Sequence, residues 1–291
     1  LLTFFVWGGA LVLTYTGQFH WSCRFKADSN TKGKFMVKAI VIKEAGGPEV
    51  LKWTDVQVGK PAAGQILLQH EAVGLNFIDV YHRTGLYPLE YPAIIGLEGA
   101  GHVLEVGEGV SHLNVGDRVA YGTEIGGYAQ QRLIGADRVV KIPDGISAEV
   151  AASSMLQGLT VQYLLRQTYK VKAGDTILFH AAAGGVGLIA CQWAKALGAT
   201  IIGTVGSDEK AALAKANGCT HTINYNEHNF VEAVKNITGG AGVAAVYDSI
   251  GQDTYPQSLD CLQPLGTWVT FGQASGPITD FNLALLAQKG S

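Results

Sequence analysis

Charge and cysteine are scarce in this chain. Asp, Glu, Lys and Arg make up 15% of its 291 residues and leave a formal net charge of −3. Without a basic cluster, nucleic acid is excluded as its main partner. The four cysteines, Cys23, Cys191, Cys219 and Cys261, are scattered with no C-x-x-C pair. That spacing suits small buried hydrophobes of a reducing, cytoplasmic compartment. The eight histidines show no H-E-x-x-H, and neither a G-x-S-x-G elbow nor a G-x-x-x-x-G-K-[ST] loop occurs, so no hydrolase triad or P-loop chemistry is signalled. His180 reads as a core residue rather than a ligand. Asn236-Ile237-Thr238 matches a glycosylation sequon but, in a cytosolic chain, is only a helix end.

Long apolar runs are also missing, apart from the opening LLTFFVWGGALVLTYT. It is too short for a confident span and lacks a basic leading segment. A cleaved targeting segment or an anchor stays open there. Met36, however, opens the strand-like Met-Val-Lys-Ala-Ile-Val-Ile and reads as the natural start. The expectation is that residues 1–35 are an extension outside the fold, from upstream translation or added sequence, and that no membrane is involved.

What is abundant is glycine, 38 residues, in a chain that is 47% hydrophobic. That length and composition allow two domains with full cores. Residues 176–206 organise the rest. TILFH is a short β-forming run, AAAGGVG a turn of small residues, and Val186, Ile189, Ala190, Trp193 and Leu197 recur at the spacing of one helical face. Gly198 then closes the helix and 199–205 is the next strand. In this βαβ unit Ala181-x-x-Gly184-x-x-Gly187 is a relative of G-x-G-x-x-G. A helix N-terminus offers unpaired N–H groups and partial positive charge to a pyrophosphate, provided no side chain blocks it. Ala182, Gly184, Gly185, Val186 and Gly187 are therefore placed against a dinucleotide; a tight structural turn is the bland alternative.

An Asp or Glu at the end of the second strand would hold a free ribose 2′-hydroxyl and repel a 2′-phosphate. Here that strand ends in Val205-Gly206-Ser207, with Lys210 a turn later. Ser207 and Lys210 favour NADP(H). Asp208 and Glu209 read as acidic residues in a helix's first turn, and Lys210 is alternatively a solvated surface lysine.

Around this unit, strand-like runs at 38–42, 65–72, 101–106, 118–121, 128–134 and 139–141, parted by Gly/Pro/Asp turns, predict a partly closed β-barrel. Residues 147–169 have helical spacing and connect the domains. Then helix 208–216, strand 221–224, helix 230–238, strand 243–249, helix 254–262 and strand 267–271 predict a doubly wound parallel sheet, which binds ligands at its strands' carboxyl ends. Tyr225 lies at that edge, either lining a 2′-phosphate region or as an ordinary half-buried tyrosine.

These residues resemble a known family. Gly96-Leu97-Glu98-Gly99-Ala100-Gly101, Val115-Gly116-Asp117-Arg118-Val119, the 181–187 turn and Val246-Tyr247-Asp248-Ser249-Ile250-Gly251 resemble the medium-chain dehydrogenase/reductase superfamily. Gly74-Leu75-Asn76-Phe77-Ile78-Asp79, Gly85-Leu86-Tyr87-Pro88, Leu159-Thr160 and Ile223-Asn224-Tyr225 are similar to its NADPH-dependent quinone oxidoreductases, the zeta-crystallin group. The resemblance runs from Met36 to Ser291. It implies an α/β chain with a GroES-like, partly open β-barrel catalytic domain (36–160) and a Rossmann NADP-binding domain (161–291).

By that resemblance, zinc alcohol dehydrogenases carry cysteine at the place of Asn76 and histidine at that of Leu97. Amide and leucine do not replace those ligands, and the four-cysteine zinc lobe has no counterpart, so no metal is expected. Asn76, Tyr81 and Tyr87 line the substrate cleft, the tyrosines as donors to quinone oxygens or as aromatic walls. Arg83 either neutralises charge or pairs with Asp79. Thr160 stands beside the nicotinamide, with Ser249, Phe271 and Gly272 at the strand edges near it. The implied activity is zinc-free reduction of a small-molecule quinone by hydride transfer from NADPH. The alternatives are an enone or enoyl reductase with the same cofactor, or a crystallin-like NADPH-binding protein with little turnover. Relatives continue past Gln288-Lys289-Gly290-Ser291 into a strand that makes a dimer edge and then back to the first domain. A fragment of a longer product, homodimeric when full length, is expected.

Overall fold

The computed structural model describes residues 12–13, 22–24 and 36–287. It divides into two compact units, Leu1–Leu156 and Gln157–Ser291.

The first unit is antiparallel. β1 (Val12–Leu13) pairs β2 (Ser22–Arg24), and β2 runs along the Ala72–Gly74 end of β5 (Gln65–Gly74). This is the described part of the 1–35 extension; the rest lies outside the described residues. β5 continues through β7 (Glu98–Val106) and β8 (Arg118–Gly122) to β10 (Val140–Lys141), while β9 (Gln131–Gly135) pairs the start of β5. A second sheet orders β4 (Lys52–Gln57), β3 (Met36–Ile42) and β6 (Ala93–Ile94). A bridge between Ala39 and Ala129 joins the sheets. Ile66, Leu68, Val103, Val119 and Tyr121 form one buried cluster on the larger sheet.

Besides the two-residue β6, two elements here are absent from the sequence reading. β4 pairs only with β3 and buries no residue fully, so its apolar alternation is too weak to announce a strand. The other is α1 (Phe77–Thr84), whose N-cap Asn76 is extended and whose C-cap Gly85 is left-handed at φ 80°. Its signals were Asn at the cap, Asp three residues on and a closing Gly.

In the second unit α2 (Ala148–Tyr163) begins within the first unit and ends in a π-helical turn, Leu164–Thr168. Five parallel strands follow in the order β13 (His221–Asn224), β12 (Thr200–Val205), β11 (Thr176–Phe179), β14 (Val243–Asp248), β15 (Leu262–Thr270). Every residue of β14 is buried, as expected of a strand covered on both faces. The helices are α3 (Gly185–Ala196), α4 (Asp208–Ala216), α5 (Phe230–Ile237), α6 (Gln257–Asp260) and α7 (Ala284–Ala287). β15 starts earlier than expected because Leu262 pairs Val243 before the register shifts to Thr267 opposite Ala245. The turn residues Pro264 to Gly266 disguise that start. Strand order reverses at β11, so the ligand crevice of such a sheet lies outside the carboxyl ends of β11 and β14.

Candidate active site

Apart from Thr160 on α2, the residues assigned to a dinucleotide follow the carboxyl ends of these strands. After β11, Ala181 adopts φ 54° and accepts a hydrogen bond from Gly184 N–H at 2.8 Å, which turns the chain into α3 with Gly184 as N-cap. The Ala182 N–H donates to Thr204 O at 3.0 Å, pinning the turn to β12. A Cβ on Gly187 would strike Ala181 O and come within 2.7 Å of the Ala182 backbone. Only a glycine lets α3 pack this close to the strand end. Val186, between the two glycines, packs against the core beneath the turn. The first N–H groups of α3 have no acceptors inside the helix.

Gln157 was not singled out from the sequence. Its side-chain amide would collide with a Cβ on Gly185, and its Oε1 is buried without a hydrogen-bond partner. An orphaned polar atom beside a side-chain-free helix start fits a polar ligand placed there. Nothing local marks Gln157, which is 28 residues from Gly185 in sequence. Thr160 follows it on the last turns of α2.

After β12, Ser207 is the N-cap of α4, its Oγ accepting from Lys210 N–H at 3.2 Å. Tyr225, after β13, is 54% exposed, and its hydroxyl lies over Gly206, 2.5 Å from where a Cβ would stand. Ser207, Lys210 and Tyr225 thus gather on one edge. The Asn224 Nδ2 donates to Asp208 Oδ1 at 3.4 Å, so Asp208 works inside the α4 first turn. Beyond β14 and β15, Ser249 and Gly272 touch: a Cβ on Gly272 would be 2.8 Å from Ser249 O. Phe271 packs on Phe179, ring centroids 5.7 Å apart.

In the first unit, α1 carries the other assigned residues. Tyr81 is buried, with Phe77 edge-on at 5.3 Å and Tyr87 at 5.2 Å. Tyr87 is 37% exposed and also meets His82. The two tyrosines therefore form one aromatic wall. Arg83 is not paired with Asp79, as one sequence reading allowed: among the described residues no such ion pair exists, and the Arg83 Nε is buried without a partner. Asp79 Oδ2 instead accepts from Tyr128 Oη–H at 2.6 Å and Asn76 N–H at 2.9 Å. The Asp79 carboxylate is committed to Tyr128 and to the start of α1 instead.

Asn76 is held by its side chain too. Its Nδ2 donates to Glu98 Oε1 at 2.7 Å, and Glu98 Oε2 accepts from Leu156 N–H at 2.7 Å. Glu98 is wholly buried. Burial pushes its carboxyl up to about 7, with Asp79's charge adding to the rise and the Leu156 and Asn76 hydrogen bonds opposing it. Burial likewise raises Asp79 to about 6 against its hydrogen bonds from Tyr128 and Asn76. Tyr121, on β8, is the other titratable group whose ionisation feels Glu98.

This has a measurable consequence. The unfolded Glu98 carboxyl titrates near 4.5. Its raised folded value makes its contribution to stability full below that pH and lost as pH rises through about 7. Between pH 5 and pH 8 the native protein should lose roughly 2–3 kcal/mol of unfolding free energy relative to Glu98→Gln. Urea unfolding at both pH values measures this, and a pH-independent difference would refute it.

Two family models match the chain: the alcohol dehydrogenase GroES-like domain over residues 62–144 and zinc-binding dehydrogenase over residues 185–291. With a GroES-like unit followed by a parallel sheet built around a glycine turn, the protein is a medium-chain dehydrogenase/reductase. It is 52% identical over 258 residues to quinone oxidoreductase of Pseudomonas aeruginosa, covering 88% of this chain and 79% of the relative. It is 50% identical to 2-haloacrylate reductase of a Burkholderia species, covering 83% and 74%. The crystal structure of Escherichia coli quinone oxidoreductase complexed with NADPH aligns with a TM-score of 0.85 and 51% identity over 87% of this chain and 78% of that one. The chain belongs to the quinone oxidoreductase family.

The metal in one family model's description does not fit the residues present. Asn76 is an amide committed to Glu98, Leu97 is a buried alkyl group, and no three His, Cys, Asp or Glu side chains among the described residues gather as ligands.

Proposed function

We propose that this chain reduces quinones with NADPH and without zinc. The observation that carries the reading is the glycine-built entrance of α3 with Ser207, Lys210 and Tyr225 gathered on the neighbouring strand edges. When bound, NADPH supplies the hydride. The turn from Ala182 through Gly184, Gly185, Val186 and Gly187 cradles the pyrophosphate with backbone N–H groups, and Gln157 meets the same region. The Ser207 hydroxyl and Lys210 ammonium receive the 2′-phosphate, with Tyr225 beside them. Ser249, Phe271, Gly272 and Thr160 hold the nicotinamide side. The second N–H of Asn76 Nδ2 points to a quinone oxygen as negative charge develops there, and Tyr81 and Tyr87 form the wall against which the ring lies. Arg83 supplies positive charge near them. A proton from solvent completes the hydroquinone.

A second reading, reduction of an activated carbon–carbon double bond by the same cofactor, is favoured by the 50% identity to a 2-haloacrylate reductase. The reducing-compartment reading, supported by free buried Cys191, Cys219 and Cys261, makes the protein cytoplasmic. No helix among the described residues is long and apolar enough to cross a membrane. The homodimer that the resemblance implies for the full-length protein belongs to the same reading.

Absorbance at 340 nm with 1,4-benzoquinone, and separately with 2-chloroacrylate, distinguishes the two substrates. NADPH is expected to be consumed with the quinone and NADH poorly. Lys210→Glu should raise the KM for NADPH about tenfold or more, the scale of a lost charge-assisted hydrogen bond, while leaving that for NADH within twofold. Equal use of both nucleotides would refute the Ser207 and Lys210 assignment, and tight NADPH binding with no turnover would identify a crystallin-like binder.

A further inference from the structure

Two buried carboxylates hold Asn76, and they hold different parts of it. Asp79 Oδ2 accepts from the backbone N–H, and the Tyr128 hydroxyl donates to that same oxygen. Glu98 accepts from the side-chain amide. The first interaction places the residue at the head of α1. The second decides which end of the amide faces inward.

That decision is chemical. A carboxamide turned by half a circle keeps its shape and exchanges donor for acceptor. Ionised, Glu98 can only accept, and each of its oxygens receives one N–H at 2.7 Å, from Asn76 and from Leu156 inside α2. The two short contacts leave no place for the Asn76 Oδ1 on the Glu98 side. The room for the carboxylate is itself built: a Cβ on Gly74 would collide with Glu98 Oε1 and with Ala152 O.

We propose that Glu98 is a positioning residue for quinone reduction, locking the Asn76 amide with Nδ2 inward so that its second N–H is presented in a fixed direction to the substrate oxygen. The proposal rests on the quinone-reductase reading above. Glu98 does not touch substrate; it acts through Asn76. In Glu98→Gln the carboxamide meets two N–H donors with only one acceptor. Either Asn76 turns over or the Leu156 N–H loses its partner.

The experiment is a double-mutant cycle of Glu98→Gln and Asn76→Ala, followed by steady-state reduction of 1,4-benzoquinone and by fluorescence titration of NADPH. We expect Glu98→Gln to lower kcat at least tenfold while the NADPH Kd stays within twofold, and the double variant to be no slower than Asn76→Ala alone. If the two losses multiply, Glu98 acts independently of Asn76 and the proposal is overturned, as it is if Glu98→Gln turns over like the native protein. Should Glu98→Gln lose its cooperative unfolding, Glu98→Asp takes its place. It keeps the charge but is one methylene too short to reach both donors, and the same non-additive loss is expected. A native protein that oxidises no NADPH with quinone would overturn the activity reading itself, a result separable from native turnover with an unaffected variant.

Discussion

Gly187→Val is expected to weaken NADPH binding by more than a hundredfold and to destabilise the protein by about 3 kcal/mol. The new Cβ would collide with the Ala181 carbonyl oxygen and sit 2.7 Å from the Ala182 backbone. Neither obstacle is a flexible side chain. Ala182 N–H is bonded to Thr204 O on β12, and α3 is anchored beneath by buried Leu188, Ala190, Cys191 and Ala194. The helix must therefore lift from the strand end, with an overpacking penalty at the upper end of the usual 1–3 kcal/mol. Lifting also removes its first N–H groups from the place where, in the proposed reading, they meet the pyrophosphate. Gly184→Ala is the contrasting variant: its Cβ would lie 3.1 Å from Ala181 O, at a backbone φ of −78° that any residue adopts. It should bind NADPH within about tenfold of native, on the scale of about one lost hydrogen bond. Fluorescence titration and urea unfolding of both variants check the ranking. A Gly187→Val protein that binds NADPH within threefold of native would refute it.

Asp248→Ala should cost at least about 4 kcal/mol, among the largest effects available to a single change. Asp248 ends β14, fully buried, and its carboxylate accepts from Ile250 N–H at 2.9 Å, Gly251 N–H at 3.2 Å, the Thr254 hydroxyl at 2.8 Å and the Ser258 hydroxyl at 2.8 Å, with Trp268 Nε1–H at 3.4 Å. Because Ser258 gives its proton to Asp248, its oxygen accepts from His180 Nε2–H, which leaves His180 Nδ1 to accept from Thr204 Oγ1–H, both at 3.0 Å. Burial lowers the pKa of His180 and keeps the ring neutral, which this one-directional chain requires. Removing the acceptor leaves several buried donors unpaired, each worth roughly 1–3 kcal/mol. It also releases the backbone turn at Ile250 and Gly251 that follows β14. Asp248→Asn, which retains one acceptor oxygen, should recover part of the loss. Unfolding free energies within 1 kcal/mol of native for the alanine variant would show that water or rearrangement replaces the carboxylate.

The alternation of strands and helices after residue 172 was legible because each buried parallel strand is a short local apolar run and each helix carries its own 3.6-residue period. The 181–187 turn was legible for the same reason: sharp turns and close approaches impose small residues at the place where they occur. Lone glutamate in the apolar, glycine-rich 96–103 stretch was a usable signal for Glu98, although the reading of that segment stopped at what Leu97 could not ligate. The amphipathic α1 was hidden between strand-like runs, and its cap residues were read for chemistry instead of for structure.

Composition and local pattern thus determined a partly closed β-barrel unit, a doubly wound sheet and a glycine-opened helix suited to a dinucleotide, and the resemblance named the first of these GroES-like. Tertiary structure alone decided that Glu98, 22 positions along the chain, turns the amide of Asn76, that Asp79 answers Tyr128 and not Arg83, and that Gln157 reaches Gly185. The reason is that a strand's or helix's own period depends on neighbouring residues in sequence, whereas these side-chain partners depend on sheet register and helix placement, which bring distant residues together only once the whole core has formed.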